Sequence, residues 1–101
     1  MAARRNSHDN DLEHHLYGIM DSIDDDVVKY GISSDQIGID DLSDRLRRQL
    51  NLFNAVVGWA RFYGRIILKG IKGRKKAEEI EDDYIKEYEK RNGRKPRANR
   101  K

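Results

Sequence analysis

Apolar residues recur at helical spacing from the start of the chain: Leu12, Leu16, Ile19, Ile23, Val27 and Tyr30 step by four or three. This predicts an amphipathic helix over about residues 9–30. Asp9, Asp11 and Glu13 suit its positive N-terminal end, and Gly31 is a natural stop. Its other face is acidic, with Asp21, Asp24, Asp25 and Asp26. Ser33-Ser34-Asp35 and Gly38 punctuate a connection, after which Asp40 is a good N-cap. A stripe then runs through Leu42, Leu46, Leu50, Phe53, Val57, Ala60, Gly64, Ile67 and Ile71. A second, Leu52, Val56, Trp59, Tyr63 and Ile66, lies beside it. The two stripes predict one long helix over about residues 40–70, with a break near Gly70-Ile71-Lys72-Gly73.

A helix with two apolar stripes offers more face than one partner helix covers. The excess is expected to meet another copy of the chain, through Phe53, Val56, Val57, Trp59, Tyr63, Ile66 and Ile67. A third helix is predicted over about residues 75–91, where Lys75 and Glu79, Asp82 and Lys86, and Glu87 and Arg91 pair at i,i+4. Ala77, Ile80, Tyr84 and Tyr88 give it a narrow seam of coiled-coil type, and Gly93 and Pro96 end it. Period-two alternation and internal repeats are not apparent. The expected fold class is therefore all-α: an acidic helix, then a long basic helix continuing into a C-terminal one. Residues 1–8 are expected to be disordered, 9–92 to form one domain, and 93–101 to be a basic disordered tail.

Composition limits the functions open to the chain. Its 101 residues make one domain, and 37% hydrophobic against 39% charged leaves a thin core. Without cysteine there are no disulfides, zinc–thiolate sites or thiol nucleophiles. The N-terminus lacks the apolar stretch of a secretory signal. The longest uncharged run, Gln49 to Ala60, has twelve residues against the roughly 20 that span a bilayer. A cytoplasmic location, that of the host cell if the chain is viral, is the expectation. Membrane attachment through Trp59 and Phe62 fits poorly with the acidic head and with Asn51 and Asn54.

Charge is divided unevenly. Residues 1–44 hold three Lys/Arg against eleven Asp/Glu, and residues 45–101 hold eighteen against seven. Between Arg45 and Lys76 stand ten basic residues and no acidic one. Read on a helix, Arg61, Arg65, Lys69, Lys72 and Lys76 form one cationic stripe with steps of about 6 Å, suited to successive phosphates. Arg74 and Lys75 extend it. The tail adds Arg94, Lys95, Arg97, Arg100 and Lys101, as arms that bind nucleic acid without reading sequence do. Phe62, beside Arg61, is the candidate for stacking on a base.

Catalytic chemistry is not suggested by spacing. His14-His15 with Asp11 invites a metal reading, but adjacent helical side chains diverge by about 100°. The serines lack a histidine–acid arrangement, and no P-loop ending follows the glycines. The expectation is a non-enzyme with no catalytic residue, metal or cofactor.

Leu50-Asn51-Leu52-Phe53-Asn54 through Tyr84-Ile85-Lys86-Glu87-Tyr88, with the following Glu89 to Pro96, resembles phage recombination mediator proteins of the UvsY type. The resemblance covers about residues 45–96. It implies a helical oligomer that binds single-stranded DNA and helps to load a recombinase. The expected function is thus sequence-nonspecific DNA binding in recombination. The alternative is a small protein-interaction adaptor or inhibitor that works through the acidic face at Asp21, Asp24, Asp25 and Asp26.

Overall fold

A computed structural model describes residues 12–99. The disorder expected of residues 1–8, and the tail positions Arg100 and Lys101, lie outside the described residues. The fold is α+β, which corrects the all-α expectation. Its elements are β1 (Glu13–Asp21), β2 (Asp26–Ser33), α1 (Asp44–Val57), β3 (Phe62–Lys72) and α2 (Arg74–Asn92). The strands form one antiparallel sheet of order β2-β1-β3.

A hairpin stands where the first helix was expected. Its residues are β-formers: Tyr17, Ile19, Val27, Val28, Tyr30 and Ile32. The turn is fixed by Asp21, whose carboxylate accepts from the backbone N–H of Ile23 at 2.9 Å and of Asp24 at 3.4 Å. Asp25 completes it in the left-handed region at φ 52°. Alternation is hidden because β1 is the central strand and both its faces are covered. Leu16 packs with Tyr30, Ile71 and, from α2, Ala77, Ile85 and Tyr88. Its neighbour Tyr17 packs with Ile19, Val28 and Leu46 of α1. A strand buried on both sides reads as a continuous apolar run, which periodicity alone does not separate from a helix.

The long second helix is likewise two elements. Ser43, not Asp40, caps α1, accepting from the Leu46 N–H. At the other end Gly58 takes φ 83°, and its N–H bonds the Asn54 carbonyl, so the chain turns out of the helix there. Asn54 then pins the return: its amide donates to the Phe62 carbonyl at 3.0 Å and its oxygen accepts from the Phe62 N–H at 2.7 Å. β3 runs back along β1 with Gly64 beneath Leu46, where a Cβ would approach the leucine side chain to 2.9 Å. α2 occupies Arg74–Asn92, where spacing predicts a helix over 75–91, and Gly93 ends it at φ 72°. Its seam of Ala77, Ile80, Tyr84 and Tyr88 rests on the sheet as core and is not a coiled-coil stripe.

Residues 93–99 fold back against β2. Pro96 is fully buried, and the Ala98 N–H donates to the Val28 carbonyl. The Asn99 side chain accepts from the Tyr30 N–H and donates to the Tyr30 carbonyl, at 2.9 and 3.0 Å. It thereby occupies part of the outer edge of β2, an edge that would otherwise be open to pairing.

Candidate functional site

The antiparallel topology brings the start of β1, the end of β2 and the first turns of both helices to one end of the molecule. A cleft of about 420 Å³ lies there. β1 contributes His14 and Tyr17, and β2 contributes Lys29 and Gly31. Arg45 and Arg48 come from α1, and Arg74, Glu78 and Glu81 from α2.

Its floor is set by Tyr17. The ring is fully buried and lies over Gly31, its cross-strand partner, where a Cβ would come within 2.3 Å of the phenol. Any larger residue at position 31 displaces the ring. The Tyr17 hydroxyl donates to Gln49 at 2.9 Å. Burial raises the Tyr17 pKa above the ordinary phenol value, opposed by the guanidinium of Arg45 and reinforced by the charge of Glu81. Tyr17 is therefore a neutral phenol at neutral pH. Arg45 and Gln49 reach it together because they are four residues apart on α1.

Two residues earlier on β1, His15 holds the start of the same helix. Its Nε2 lies 3.0 Å from the buried Ser43 hydroxyl. Burial lowers the His15 pKa, with Asp35 opposing and His14 reinforcing. Asp35 also accepts from the Arg45 N–H at 2.9 Å. The strand thus grips α1 at Ser43 and at Gln49, and this fixes how Arg45 faces the cleft.

The lining is mixed in charge, with Lys29, Arg45, Arg48 and Arg74 against Asp35, Glu78 and Glu81. Arg74 pairs with Glu78 at 3.2 Å, while Arg48 has no ion pair among the described residues. Glu81 is a buried carboxylate, 6% exposed. The N-terminal turns of both α1 and α2, where helices carry partial positive charge, contribute residues to this lining. Among the described residues, no three His, Cys, Asp or Glu converge on a point that would hold a metal ion.

The cationic ladder read from spacing does not assemble. Arg65, Lys69 and Lys72 lie on a strand, where four residues span roughly 13 Å and not 6 Å. Arg61 is withdrawn into the fold, giving two bonds to the buried Asp21 at 2.9 and 2.7 Å. Arg97 meets the same carboxylate at 2.8 Å, and Arg94 meets Asp26 at 3.1 Å. The guanidinium of Arg61 holds the Asp21 carboxyl far below the usual carboxylate range, against its burial and with help from Arg97. Three residues expected on phosphates are thus paired with the acidic face expected to bind a partner. Of the remaining basic candidates, Arg74 lines the cleft and Lys69 a smaller cavity beside it, while Lys75 and Lys76 are exposed on α2 and Lys95 is half-buried.

Phe62 packs edge-on to Phe53, with the Arg61 guanidinium 5.4 Å from its ring centre. Ile66 joins the Tyr17 cluster and Ile67 the Leu16 cluster. Val56, Val57, Trp59 and Tyr63 are exposed. Spacing missed Tyr17, Lys29, Arg45, Arg48, Gln49 and Glu81. One signal in the sequence marks the place: the triplet Tyr-Gly-Ile occurs at 17–19 and again at 30–32, and the two copies pair in the hairpin.

No curated protein and no solved structure matches the chain. Residues 7–93 match the model of a family described as URI fold toxin 2. That match replaces the resemblance to phage recombination mediators, and with it the reading of the chain as a recombination protein. A toxin sits closer to the alternative of a small protein-interaction adaptor or inhibitor. The acidic residues named for that role are, however, largely spent on internal ion pairs.

Proposed function

Because this chain belongs to the URI fold toxin 2 family, we propose that it is a toxin domain whose cleft binds and hydrolyses a phosphodiester of nucleic acid. The observation that carries this reading is the convergence of Lys29, Arg45, Arg48 and Arg74 from three elements on a cleft that also holds Tyr17, His14 and the buried Glu81. Guanidinium groups match phosphoryl oxygens in geometry and are always charged. Arg45 and Arg48 hold the non-bridging oxygens, and their charge counts most when the phosphorus is attacked and negative charge builds on those oxygens. A neutral Tyr17 phenol fixes the Gln49 and Arg45 side chains at the floor. This reading departs from the expectation of a non-enzyme.

Three carboxylates in the lining oppose a bound phosphate unless a cation screens them. One buried carboxylate together with phosphate oxygens is a usual ligand set for Mg²⁺. The test therefore incubates the purified chain with end-labelled single- and double-stranded DNA and RNA, with Mg²⁺ and with a chelator. Cleavage of at least one nucleic acid is expected, with Arg45→Ala and Glu81→Gln each slower by about 10²-fold or more. No cleavage of any of the four under either condition would falsify the reading, as would full activity in both variants.

A further inference from the structure

Hydrolysis of a phosphodiester needs a group that takes a proton from the attacking water, and one side chain in the cleft is prepared for it. His14 is 5% exposed, and its Nδ1 lies 2.7 Å from the Leu12 carbonyl. A carbonyl oxygen only accepts, so Nδ1 carries a proton, and the neutral ring has its lone pair on Nε2. No group among the described residues bonds Nε2. Yet no buried side-chain nitrogen or oxygen in them lacks a partner. Nε2 therefore opens to solvent, and the spaces that His14 lines are the cleft and the smaller cavity of about 310 Å³ next to it. Ser34 and Asp35 line both spaces together with His14.

We propose that His14 is the general base of the reaction set out above, an inference that rests on that reading. The Leu12 carbonyl orients the ring and fixes its tautomer, as the second partner of a working histidine does. A water on Nε2 attacks phosphorus while its proton passes to Nε2. The bond from phosphorus to the leaving sugar oxygen breaks, and that oxygen takes a proton from bulk water. The imidazolium then returns its proton to bulk water, and the products are a phosphomonoester and an alcohol. The neighbour His15 is excluded from this role because its Nε2 is committed to Ser43 in the interior.

The test uses two variants. His14→Asn keeps an N–H donor for the Leu12 carbonyl and removes Nε2, and His14→Ala leaves room for a small base. Both are expected to lose about 10²- to 10⁴-fold in rate while circular dichroism stays that of the native fold. Added imidazole is expected to restore activity to His14→Ala in a concentration-dependent way and to leave the native chain unchanged. Native-like activity in His14→Asn overturns the proposal. So does a folded His14→Ala that imidazole does not rescue, which assigns the histidine a structural part only. Should His14→Ala not fold, His14→Asn decides alone. A native chain that cleaves nothing overturns the nuclease reading and this proposal together, whereas cleavage that ignores position 14 overturns this one alone.

Discussion

Single residues set the site, and adjacent positions on one strand have opposite tasks. His14 lines the cleft with its Nδ1 on the Leu12 carbonyl, and His15 is buried on Ser43. Both histidines are visible in the sequence, but their division of labour is not. On a strand, neighbouring side chains leave on opposite sides, and only the partners decide which imidazole is open. Burial of His15 has a pH consequence. Its folded pKa lies below the unfolded value near 6.5, so the unfolded chain binds the proton more readily. Stability from this group is complete above the unfolded value and declines as pH falls below it toward the folded value. Chemical denaturation between pH 7.5 and 5 is expected to show the native chain losing stability toward acid relative to His15→Gln, which keeps a hydrogen-bonding partner for Ser43. A difference that stays constant over that range contradicts neutral burial of His15.

Elements were legible where local chemistry decides them and not where tertiary packing does. The surface pairs and Gly93 mark α2 because they act within the helix. Spacing alone predicts helices over β1 and β3, because their apolar residues serve two faces or a bulged register. Shifts at Ile19/Met20, His14/Leu16 and Leu16/Tyr17 break the alternation that would mark a strand. Gly58 looked like an interior glycine and is a left-handed stop. The C-terminal segment carries a related lesson. Its basic composition suggested a free arm, but Pro96, Arg97 and Asn99 tie it to β2 and to Asp21. Ending the chain after Asn92 removes the cover from β2 and one of the two arginines on a buried carboxylate. The truncated chain is expected to unfold at lower denaturant and to associate through the exposed strand edge, as light scattering would report. Unchanged stability and a monomeric profile would show that the segment holds nothing.

At the scale of the whole molecule, the acid-free stretch from Arg45 to Lys76 has a meaning different from a stripe along one helix. It spans α1, β3 and the start of α2. Three of the four cations of the cleft, Arg45, Arg48 and Arg74, come from its two ends, which the fold brings together. The acidic N-terminal half supplies the hairpin, the Tyr17 floor and the carboxylates that hold Arg61, Arg94 and Arg97 in place. The uneven charge of the sequence thus has an internal part and a part facing the cleft, and linear order does not separate them. The measurement that reaches this claim most directly is a titration of ¹⁵N-labelled Glu81→Gln with a short oligonucleotide, following amide shifts. Perturbations are expected at Tyr17, Gly31, Arg45, Arg48 and Arg74, around the cleft. Shifts confined to Arg65, Lys69 and residues 93–99, with the cleft silent, would contradict the account.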